Sequence, residues 1–380
     1  MNPNNHIEQL IHDLCPSGVP QKTLGEVCDM RRGSTINAVS AGKGNIPVIA
    51  GGLKPAYYHD KSNRNGETIT IAGSGAYAGY VAYWNQPIFV SDAFSIEPKI
   101  ILQLNIKYLY YYLSNKQETI YRTKTKGGIP HVRPSSIDNF QIPLPPLPIQ
   151  EEIVRILDTF TELITNIDTE IQKQQCELNL CRKQIFHQLN CKYEQLSSIF
   201  DLRGGYTPST KNPEYWTDNT GYSWYTMDDI RKNGRKLGNS IRHITEKAVK
   251  GKGLFPKGTI VFATSATIGE HAILMKPALT NQRFTAITPK KDDVYMMFYY
   301  HYAFIIDEWC LQHIKRGGFN SVDMDGFAKL PIPLPPLSEQ RAIAEKLDTF
   351  EKLITNLKTE RDLRQQQYEY YREKLINLLK

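Results

Sequence analysis

Cysteine is scarce and scattered in this chain. The 380 residues include six cysteines, with no Cys-x-x-Cys pair and no nearby histidine pattern of the kind that binds zinc. We therefore expect neither a disulfide framework nor a structural metal site. Isolated thiols of this kind are typical of proteins in a reducing cytosol.

Long apolar runs are missing as well. The longest aromatic and apolar stretch, residues 294–306, is too short to cross a bilayer and includes His301. The N-terminal residues have neither the basic start nor the apolar centre of a secretory signal peptide. The sequence thus predicts a soluble, cytoplasmic protein that does not enter a membrane.

A recognisable catalytic motif is also absent from the sequence. Segment 73–79 is rich in glycine, but its internal counterpart at 264–269 has lost those glycines, so a strand-end turn explains both better than a cofactor loop. Segment 212–215, Asn-Pro-Glu-Tyr, matches an amino-methyltransferase motif only in part, because Glu214 replaces the second proline. We find no convincing S-adenosylmethionine loop or nuclease metal site beside it. We expect no catalytic residue, no metal and no cofactor.

What the chain does contain is an internal repeat. Residues 142–170 and 332–360 align without a gap at an offset of 190 residues, half of the chain. Both copies begin with Ile-Pro-Leu-Pro-Pro-Leu and both contain Leu-Asp-Thr-Phe. A repeat of this size predicts a pseudo-two-fold molecule with two similar ends, suited to a bipartite target or to two copies of a partner.

Each copy of the repeat opens a long amphipathic segment. Its apolar residues recur at alternating steps of four and three, which indicates a coiled-coil seam rather than a broad globular face. The seam consists of Ile153, Leu157, Phe160 and Ile164 in the first copy and of Ile343, Leu347, Phe350 and Ile354 in the second. Prolines directly before each seam prevent an earlier helix start. We predict two helices of roughly 40 residues each, about 60 Å long, that pair antiparallel within the chain; the alternative is that each packs only on its own domain.

The blocks outside these helices repeat more loosely. Residues 24–35 resemble 196–207, and residues 68–79 resemble 259–270. Short β-branched runs broken by Gly, Asn and Pro predict strand-rich domains with a few helices, one of them near residues 106–114 and its counterpart near 295–304. We interpret the tyrosines of those helices as packing residues. The expected fold is α+β: two similar strand-rich domains separated by two long helices.

Positive charge is concentrated in the two strand-rich blocks. Residues 1–149 carry 14 Lys and Arg against 10 acidic residues, and residues 191–337 carry 19 against 14. This placement favours an anionic partner at two places, and nucleic acid is the usual one. A slightly basic, solvated surface is the other interpretation of the charge alone.

Several motifs together resemble those of a known family. The most specific is Pro-Leu-Pro-Pro-Leu-x-x-Gln at the two helix starts, residues 143–150 and 333–340. Further motifs are Leu-Cys-Pro-Ser-Gly-Val at 14–19 with Leu-Gly-Glu at 24–26, and Arg-Gly-Gly-Tyr-Thr-Pro-Ser at 203–209 with Asn-Pro-Glu-Tyr-Trp at 212–216. The chain resembles the DNA-specificity subunit of type I restriction-modification enzymes over nearly its whole length. The first domain departs from the pattern at 36–38, where Ile-Asn-Ala stands in place of Pro-Ser-Thr.

The resemblance implies a non-catalytic subunit of a larger complex. It implies two target-recognition domains, each reading one half of a split, asymmetric site in double-stranded DNA. The helices would act as a ruler and dock two methyltransferase subunits, and restriction (motor) subunits would join that complex. Adenine methylation and ATP-driven cleavage would belong to those partners. The expected domains are residues 1–147, with a short N-terminal helix, the central helix 148–190, the second domain 191–337 and the C-terminal helix 338–380.

The candidate DNA contacts are basic or hydrogen-bonding side chains in the two blocks. Lys and Arg would set affinity on phosphates, whereas polar side chains at base edges would set specificity. The first-domain candidates are Arg31, Arg32, Lys54, Tyr57, Arg64, Lys126 and Arg133. The second-domain candidates are Arg203, Tyr206, Lys211, Arg231, Lys232, Arg235, Lys236, Lys315, Arg316 and Asn320.

Three alternatives stay open on the sequence alone. Arg31 and Arg203 stand at matched positions, and each could instead form an internal ion pair with Asp29 or Asp201. The chain could be a stand-alone DNA methyltransferase or nuclease. It could also be a coiled-coil scaffold that binds only protein. In the family interpretation, the eight seam residues are the candidates for helix pairing and partner docking.

Overall fold

The computed structural model describes residues 3–36, 44–125, 127–218, 220–315 and 320–380, with side chains from residue 6 onward. Two of the candidate contacts, Lys126 and Arg316, lie outside the described residues. The chain forms two compact units. Unit 1 is Met1–Thr169 together with Lys358–Lys380, and unit 2 is Glu170–Leu357.

Unit 1 is built from short strands and helices that precede a long helix. Its elements up to and including that helix are α1 (Pro3–Leu14), β1 (Gln21–Thr23), α2 (Leu24–Val27), β2 (Cys28–Arg32), β3 (Ile46–Ile49), β4 (Tyr57–His59), β5 (Glu67–Ala72), β6 (Val81–Asn85), β7 (Phe89–Val90), β8 (Ala93–Pro98), α3 (Ile106–Asn115), α4 (Gln117–Arg122), a 3-10 turn (Pro134–Ser136), β9 (Gln141–Pro143) and α5 (Leu147–Gln188). Strands β2, β8, β5 and β6 form an antiparallel sheet in that order, β4, β3 and β7 form a second sheet, and β1 pairs with β9.

Unit 2 repeats this arrangement with additions; it contains the second part of α5, and its own last helix ends in unit 1. Its elements are β10 (Lys192–Gln195), α6 (Leu196–Ile199), β11 (Phe200–Gly204), a 3-10 turn (Pro213–Tyr215), β12 (Trp216–Thr217), β13 (Tyr222–Tyr225), α7 (Met227–Asn233), β14 (Lys236–Leu237), β15 (Arg242–Ile244), a 3-10 turn (Glu246–Ala248), β16 (Ile260–Ala263), β17 (His271–Leu274), β18 (Ala278–Thr280), β19 (Phe284–Pro289), α8 (Met296–Gln312), β20 (Ile314–Lys315), β21 (Ser321–Val322), α9 (Met324–Lys329), β22 (Pro331–Leu334) and α10 (Leu337–Asn377). Strands β11, β19, β16 and β17 stand in the order of β2, β8, β5 and β6, and β14 extends that sheet. The segment between the matched sequence blocks is longer in the second domain, residues 208–258 against 36–67, and we call residues 208–258 the basic insert. It supplies the additional elements β12, α7 and β14.

The predicted strand-end turn and the packing tyrosines are confirmed. Strand β5 ends at Ala72 and β16 ends at Ala263, each directly before the segment that superficially resembled a cofactor loop. In α3 the hydroxyl of Tyr108 donates to the carbonyl of Pro143 at 2.8 Å, and in α8 the hydroxyl of Tyr299 donates to that of Pro333 at 2.9 Å. Both rings are buried. These tyrosines tie a domain helix to the proline segment before each long helix.

The two long helices pair antiparallel, as the pseudo-two-fold repeat predicts. In unit 1, Phe160 of α5 stacks on Tyr371 of α10, with ring centroids 5.3 Å apart. Farther along α5, Asp168 accepts a hydrogen bond from Arg361, so residue numbers rise along one helix while they fall along the other. In unit 2, Arg182 of α5 pairs with Glu351 of α10. The alternative that each helix packs only on its own domain is therefore wrong.

The seam residues lie in the cores. Ile153, Leu157 and Ile164 are buried and Phe160 is partly buried in the core of unit 1. Leu347 and Ile354 are buried, and Ile343 and Phe350 partly buried, in the core of unit 2. Every helix in the described ranges is too short or too polar to cross a membrane.

Candidate nucleic-acid interface

Four chain segments of unit 1 converge at one end of its main sheet. The amide of Gly33, after β2, donates to the carbonyl of Ala93 at 2.9 Å. Gly73, after β5, donates to the carbonyl of Asp92 at 3.0 Å and accepts from the amide of Val132 at 3.0 Å. These bonds fix the ends of two strands, the β7–β8 turn and the segment around residue 132 into one frame.

Unit 2 has the same frame. Gly205 donates to the carbonyl of Phe284 at 3.0 Å, Thr264 donates to that of Arg283 at 3.0 Å, and Val322 donates to that of Thr264 at 2.9 Å. Because the bonds correspond one by one, the two frames identify equivalent positions even where the side chains differ. We call this arrangement the strand-end frame in both units.

A glycine is required at the start of each frame. A Cβ on Gly33 would stand 2.2 Å from the carbonyl oxygen of Ser91, and one on Gly205 would stand 2.3 Å from that of Asn281. Real Cβ atoms do not approach backbone oxygens that closely, so the chain reaches this contact only without a side chain. The neighbouring Gly204 has open space around it.

The frame of unit 1 encloses a polar cleft of about 530 Å³. Arg32, Asp92, His131 and Arg133 line it. All four are exposed, and neither guanidinium forms a hydrogen bond or ion pair within the described part of the chain. The cleft thus brings two predicted DNA contacts, Arg32 and Arg133, close together. We call such charges uncommitted, because they have no internal hydrogen bond or ion pair among the described residues.

Other predicted contacts are exposed and also lack a side-chain partner among the described residues. They are Lys54 in unit 1 and Lys211, Lys232 and Asn320 in unit 2. The backbone of Asn320 belongs to the strand-end frame, since its carbonyl accepts from the amide of Ala266 at 3.2 Å. The three lysines can reach a phosphate without breaking a side-chain contact within the described residues.

In the described structure, neither of the matched arginines forms the ion pair with the nearby aspartate that the sequence left open. Arg31 pairs with Glu97 across the β2–β8 ladder, not with Asp29. Arg203 lies over the ring of Phe255, with its guanidinium carbon 4.0 Å from the ring centroid. Burial lowers the pKa of Arg203. Cation–π packing leaves the edge of the guanidinium available for hydrogen bonds.

Three of the candidate DNA contacts instead stabilise their own domains through internal hydrogen bonds. The Tyr57 hydroxyl donates to the carbonyl of Ile36 at 2.7 Å. Arg64 is mostly buried, donates to Ser95 at 2.7 Å, and has its pKa lowered by that burial. The Tyr206 hydroxyl donates to the carbonyl of Ala248 at 3.0 Å and so supports the basic insert. Their polar groups are already engaged.

Arg235 and Lys236 face helices of unit 2 rather than open surface. Arg235 pairs with Asp307 of α8 at 3.0 Å. The ammonium of Lys236 lies 2.9 Å from carboxylate oxygens of both Asp348 and Glu351 on α10. Burial lowers the pKa of Lys236, but the two carboxylates outweigh burial and raise it. These cations lock the insert of the second domain to α8 and α10.

The same cluster contains a set of possible metal ligands. His301, Asp348 and Glu351 offer ligand atoms within 4.8 Å of one another. The ammonium of Lys236 already bridges the two carboxylates, and Arg182 pairs with Glu351. The positive charge that a metal would bring is therefore supplied by side chains, and the donors fit an ion-pair network better than a metal site.

The remaining candidates form local pairs. Arg231 pairs with Asp228 one helical turn away at 3.2 Å, and Lys315 pairs with Asp323 at 2.6 Å. The hydrogen bond to Asp323 raises the pKa of Lys315. Exposed pairs of this kind are weak and can be exchanged for a phosphate contact.

The structure adds side chains that sequence reasoning missed. Arg242 lies in the basic insert, with its guanidinium carbon 3.8 Å from the centroid of Trp216 and 5.2 Å from that of Trp224. Asp92 and Arg283 occupy equivalent places in the two strand-end frames. No motif marked these positions, because the repeat is too loose there to align without the hydrogen bonds. The Asn-Pro-Glu-Tyr segment forms the 3-10 turn Pro213–Tyr215, capped by the Asn212 side chain.

The chain matches a family of known function twice. The family described as "Type I restriction modification DNA specificity domain" matches residues 16–174 and 190–364. The specificity subunit of the type I restriction enzyme EcoprrI from Escherichia coli is 44% identical over 196 residues, which are 48% of this chain and 49% of that protein. The chain therefore spans about half the length of that relative in the match.

A second relative and a solved structure extend the likeness. The specificity subunit of EcoR124I/EcoR124II from Escherichia coli is 31% identical over 297 residues, 72% of this chain and 71% of that protein. The crystal structure of a type I restriction-modification system S subunit from M. genitalium shares the fold, with a TM-score of 0.59 and 17% identity, over 94% of this chain and 95% of that one.

Proposed function

Since the chain belongs to the type I restriction-modification DNA specificity family, we propose that it is the subunit that chooses the DNA sequence for such a complex. Each strand-rich domain reads one half of a split, asymmetric site in double-stranded DNA. The chain directs adenine methylation and cleavage that partner subunits carry out, and contributes no catalytic residue of its own.

One observation carries this proposal. The two units repeat the same strand-end frame, bond for bond, while the side chains in it differ. Arg32 has Gly204 as its counterpart, and Arg133 has Asp323. A constant backbone frame with exchanged polar side chains is what two readers of different half-sites require, because hydrogen-bonding groups at base edges set specificity.

The proposed division of the chain follows from the same repeat. Residues 1–147 and 191–337 are the two target-recognition domains, and segments 148–190 and 338–380 are the helices between them. We propose that the paired helices dock two methyltransferase subunits, which in turn recruit restriction subunits. The seam residues Leu157 and Leu347 act by holding the helices together, since both are fully buried.

The predicted DNA contacts within the described residues divide into three groups on this proposal. Arg32, Lys54, Arg133, Lys211 and Lys232 contact DNA directly, because their charges are uncommitted. Arg31, Arg203, Arg231, Lys315 and Asn320 contact it from exposed or half-buried positions beside the frame or insert. Tyr57, Arg64, Tyr206, Arg235 and Lys236 support the recognition surface through the internal bonds described above. Lys126 and Arg316 remain predicted contacts.

Modified-base sequencing tests the proposal directly. DNA is taken from cells that produce the methyltransferase partner with this chain, and from cells that produce the partner without it. We expect a split methyladenine motif that appears only when this chain is present. Identical methylation in both samples would contradict the proposal and favour a scaffold that binds only protein. Methylation by this chain without any partner would identify a stand-alone methyltransferase.

A further inference from the structure

The turn that leads into β8 in unit 1, and the equivalent turn that leads into β19 in unit 2, carry side chains of opposite charge. In unit 1 the β7–β8 turn contains Asp92, and in unit 2 the β18–β19 turn contains Arg283. The carbonyl of Asp92 accepts from Gly73, and the carbonyl of Arg283 accepts from Thr264, both at 3.0 Å. The two residues therefore hold one position of the strand-end frame.

Arg283 is ready to bind an external acceptor. Its side chain is exposed and forms no hydrogen bond or ion pair within the described ranges of the chain. Its backbone is fixed at both ends, since its amide donates to the side chain of Asn281 at 3.0 Å while its carbonyl accepts from Thr264. A guanidinium without an internal partner can donate to a base edge, and the fixed backbone sets where that guanidinium can reach; on binding the side chain loses rotamer freedom, but the backbone has little freedom to lose.

Asp92 offers the opposite chemistry at the equivalent place. Its carboxylate is exposed and, counting only described residues, accepts one hydrogen bond, from the hydroxyl of Ser74. An ionised carboxylate can only accept further hydrogen bonds. Phosphates would repel it, but Arg32 and Arg133 line the same cleft and supply compensating positive charge.

We propose that Asp92 and Arg283 are equivalent specificity-determining residues, each reading a base of its own half-site. Arg283 donates two hydrogen bonds to O6 and N7 of a guanine in the major groove. Asp92 accepts from the exocyclic amino group of a base, most naturally N4 of cytosine. This inference rests on the proposed function and names the position at which the two domains diverge in what they read.

The residues at the positions of Arg32 and Arg133, which compensate the charge of Asp92 in unit 1, also differ between the units. Where unit 1 has Arg133, unit 2 has Asp323, and Asp323 pairs with Lys315 at 2.6 Å. Where unit 1 has Arg32, unit 2 has Gly204. Unit 2 thus has no arginine at the two frame positions whose arginines compensate the charge of Asp92 in unit 1.

The experiment is modified-base sequencing of DNA from cells with the methyltransferase partner and one variant of the full chain. Arg283→Ala should leave one half-site intact and lower discrimination at one guanine of the other by about 5- to 150-fold. Asp92→Ala should relax one base of the opposite half-site and leave the first unchanged. Arg283→Gln should shift the preference from guanine towards adenine, which a misfolded chain cannot do.

Lys232→Ala is the matched control for loss of a cation from the same unit. A phosphate contact carries no sequence information, so this variant should lower methylation evenly and preserve every base of the motif. Unchanged half-sites in both Arg283 variants would overturn the inference. Loss of all methylation in both, with the complex still assembled, would overturn it too, because Arg283 would then act on affinity. If the same methylation motif appeared in cells that lack this chain, the proposed function itself would be refuted.

Discussion

The side chain of Gln340 binds the backbone of Tyr295 at the start of a domain helix. Its Oε1 accepts from the Tyr295 amide at 2.8 Å, while its Nε2 donates to the carbonyls of Asp293 and Pro335. Gln150 does the same in unit 1, accepting from the Asn105 amide at 2.8 Å. Both glutamines are fully buried. The last residue of the Pro-Leu-Pro-Pro-Leu-x-x-Gln motif therefore ties each long helix to its own domain.

Replacing Gln340 with alanine should destabilise the protein strongly. The change leaves one amide and two carbonyls without their partner, and we expect the free energy of unfolding to fall by about 2–4 kcal/mol. Urea unfolding followed by circular dichroism measures this. Gln172→Ala, on an exposed position of α5, is the control and should change stability by less than about 0.5 kcal/mol. Equal stability of the two variants would contradict the anchoring role.

Two adjacent glycines should respond differently to the same substitution. Gly205→Ala places a Cβ 2.3 Å from the carbonyl oxygen of Asn281, whereas Gly204→Ala meets nothing within 4 Å. We expect Gly205→Ala to destabilise unit 2 and to impair recognition of one half-site. Gly204→Ala should be neutral or stabilising by up to about 1 kcal/mol, because alanine restricts the unfolded chain. Thermal unfolding of both variants checks this, and a harmless Gly205→Ala would show that the frame can open.

A charge in the helix seam should disrupt the pairing of the long helices. Leu157 is fully buried, so Leu157→Asp places an unpaired carboxylate in the core of unit 1 and should cost about 4 kcal/mol or more. Leu180→Asp is the control on the same helix, because Leu180 is 58% exposed. Calorimetry measures stability, and size-exclusion chromatography with the methyltransferase partner measures assembly. Normal assembly by the Leu157 variant would contradict a role of the seam in docking.

Two neighbouring lysines of the insert should differ in their effect on DNA affinity. Lys232 is uncommitted, so Lys232→Ala should reduce the slope of log K against log salt by about 0.9, as expected for one lost phosphate contact. Lys236 is held by Asp348 and Glu351, so Lys236→Ala should preserve that slope while lowering stability. Binding of the assembled complex to its DNA at several salt concentrations tests both. A reduced slope in the Lys236 variant would mean that its internal pairs open on DNA.

Acid should weaken unit 2 through His271. Burial lowers the pKa of this imidazole, an effect that Asp307 opposes and that Arg235 and Arg182 reinforce. Below its unfolded pKa of about 6.5, the unfolded chain binds a proton that the folded chain refuses, so the free energy of unfolding falls as pH falls. The slope from this group can reach about 1.4 kcal/mol per pH unit.

The variant His271→Phe isolates that contribution. The ring lies among aromatic side chains, with Phe304 at a centroid distance of 4.5 Å, so phenylalanine fills the same space. Stability measured between pH 7 and 5 should lose part of its pH dependence in this variant. His187→Gln, at an exposed position of α5, should keep it. Parallel pH profiles for His271→Phe and the unaltered chain would exclude His271 as the source.

Much of the fold follows from local sequence pattern. The seam spacing and the prolines before it predicted both long helices, Leu147–Gln188 and Leu337–Asn377, and the repeat predicted two similar strand-rich domains. Helix periodicity, proline geometry and turn residues act over a few positions, so they can be read along the chain. The positive excess in the two blocks predicts an anionic partner there, and the variants of Lys232 and Arg283 described above test that prediction.

The tertiary structure decides which lysines and arginines are available to contact DNA. Lys232 and Lys236 look alike in the sequence, yet the second reaches Asp348, 112 positions away, and its positive charge is balanced there by an ion pair. Asp92 and Arg283 became equivalent only through backbone hydrogen bonds between distant strand ends. Sequence patterning fixed which segments form helices and strands because those preferences are local. Which charge meets a partner depends on packing between segments far apart in the chain, and only the folded structure determines it.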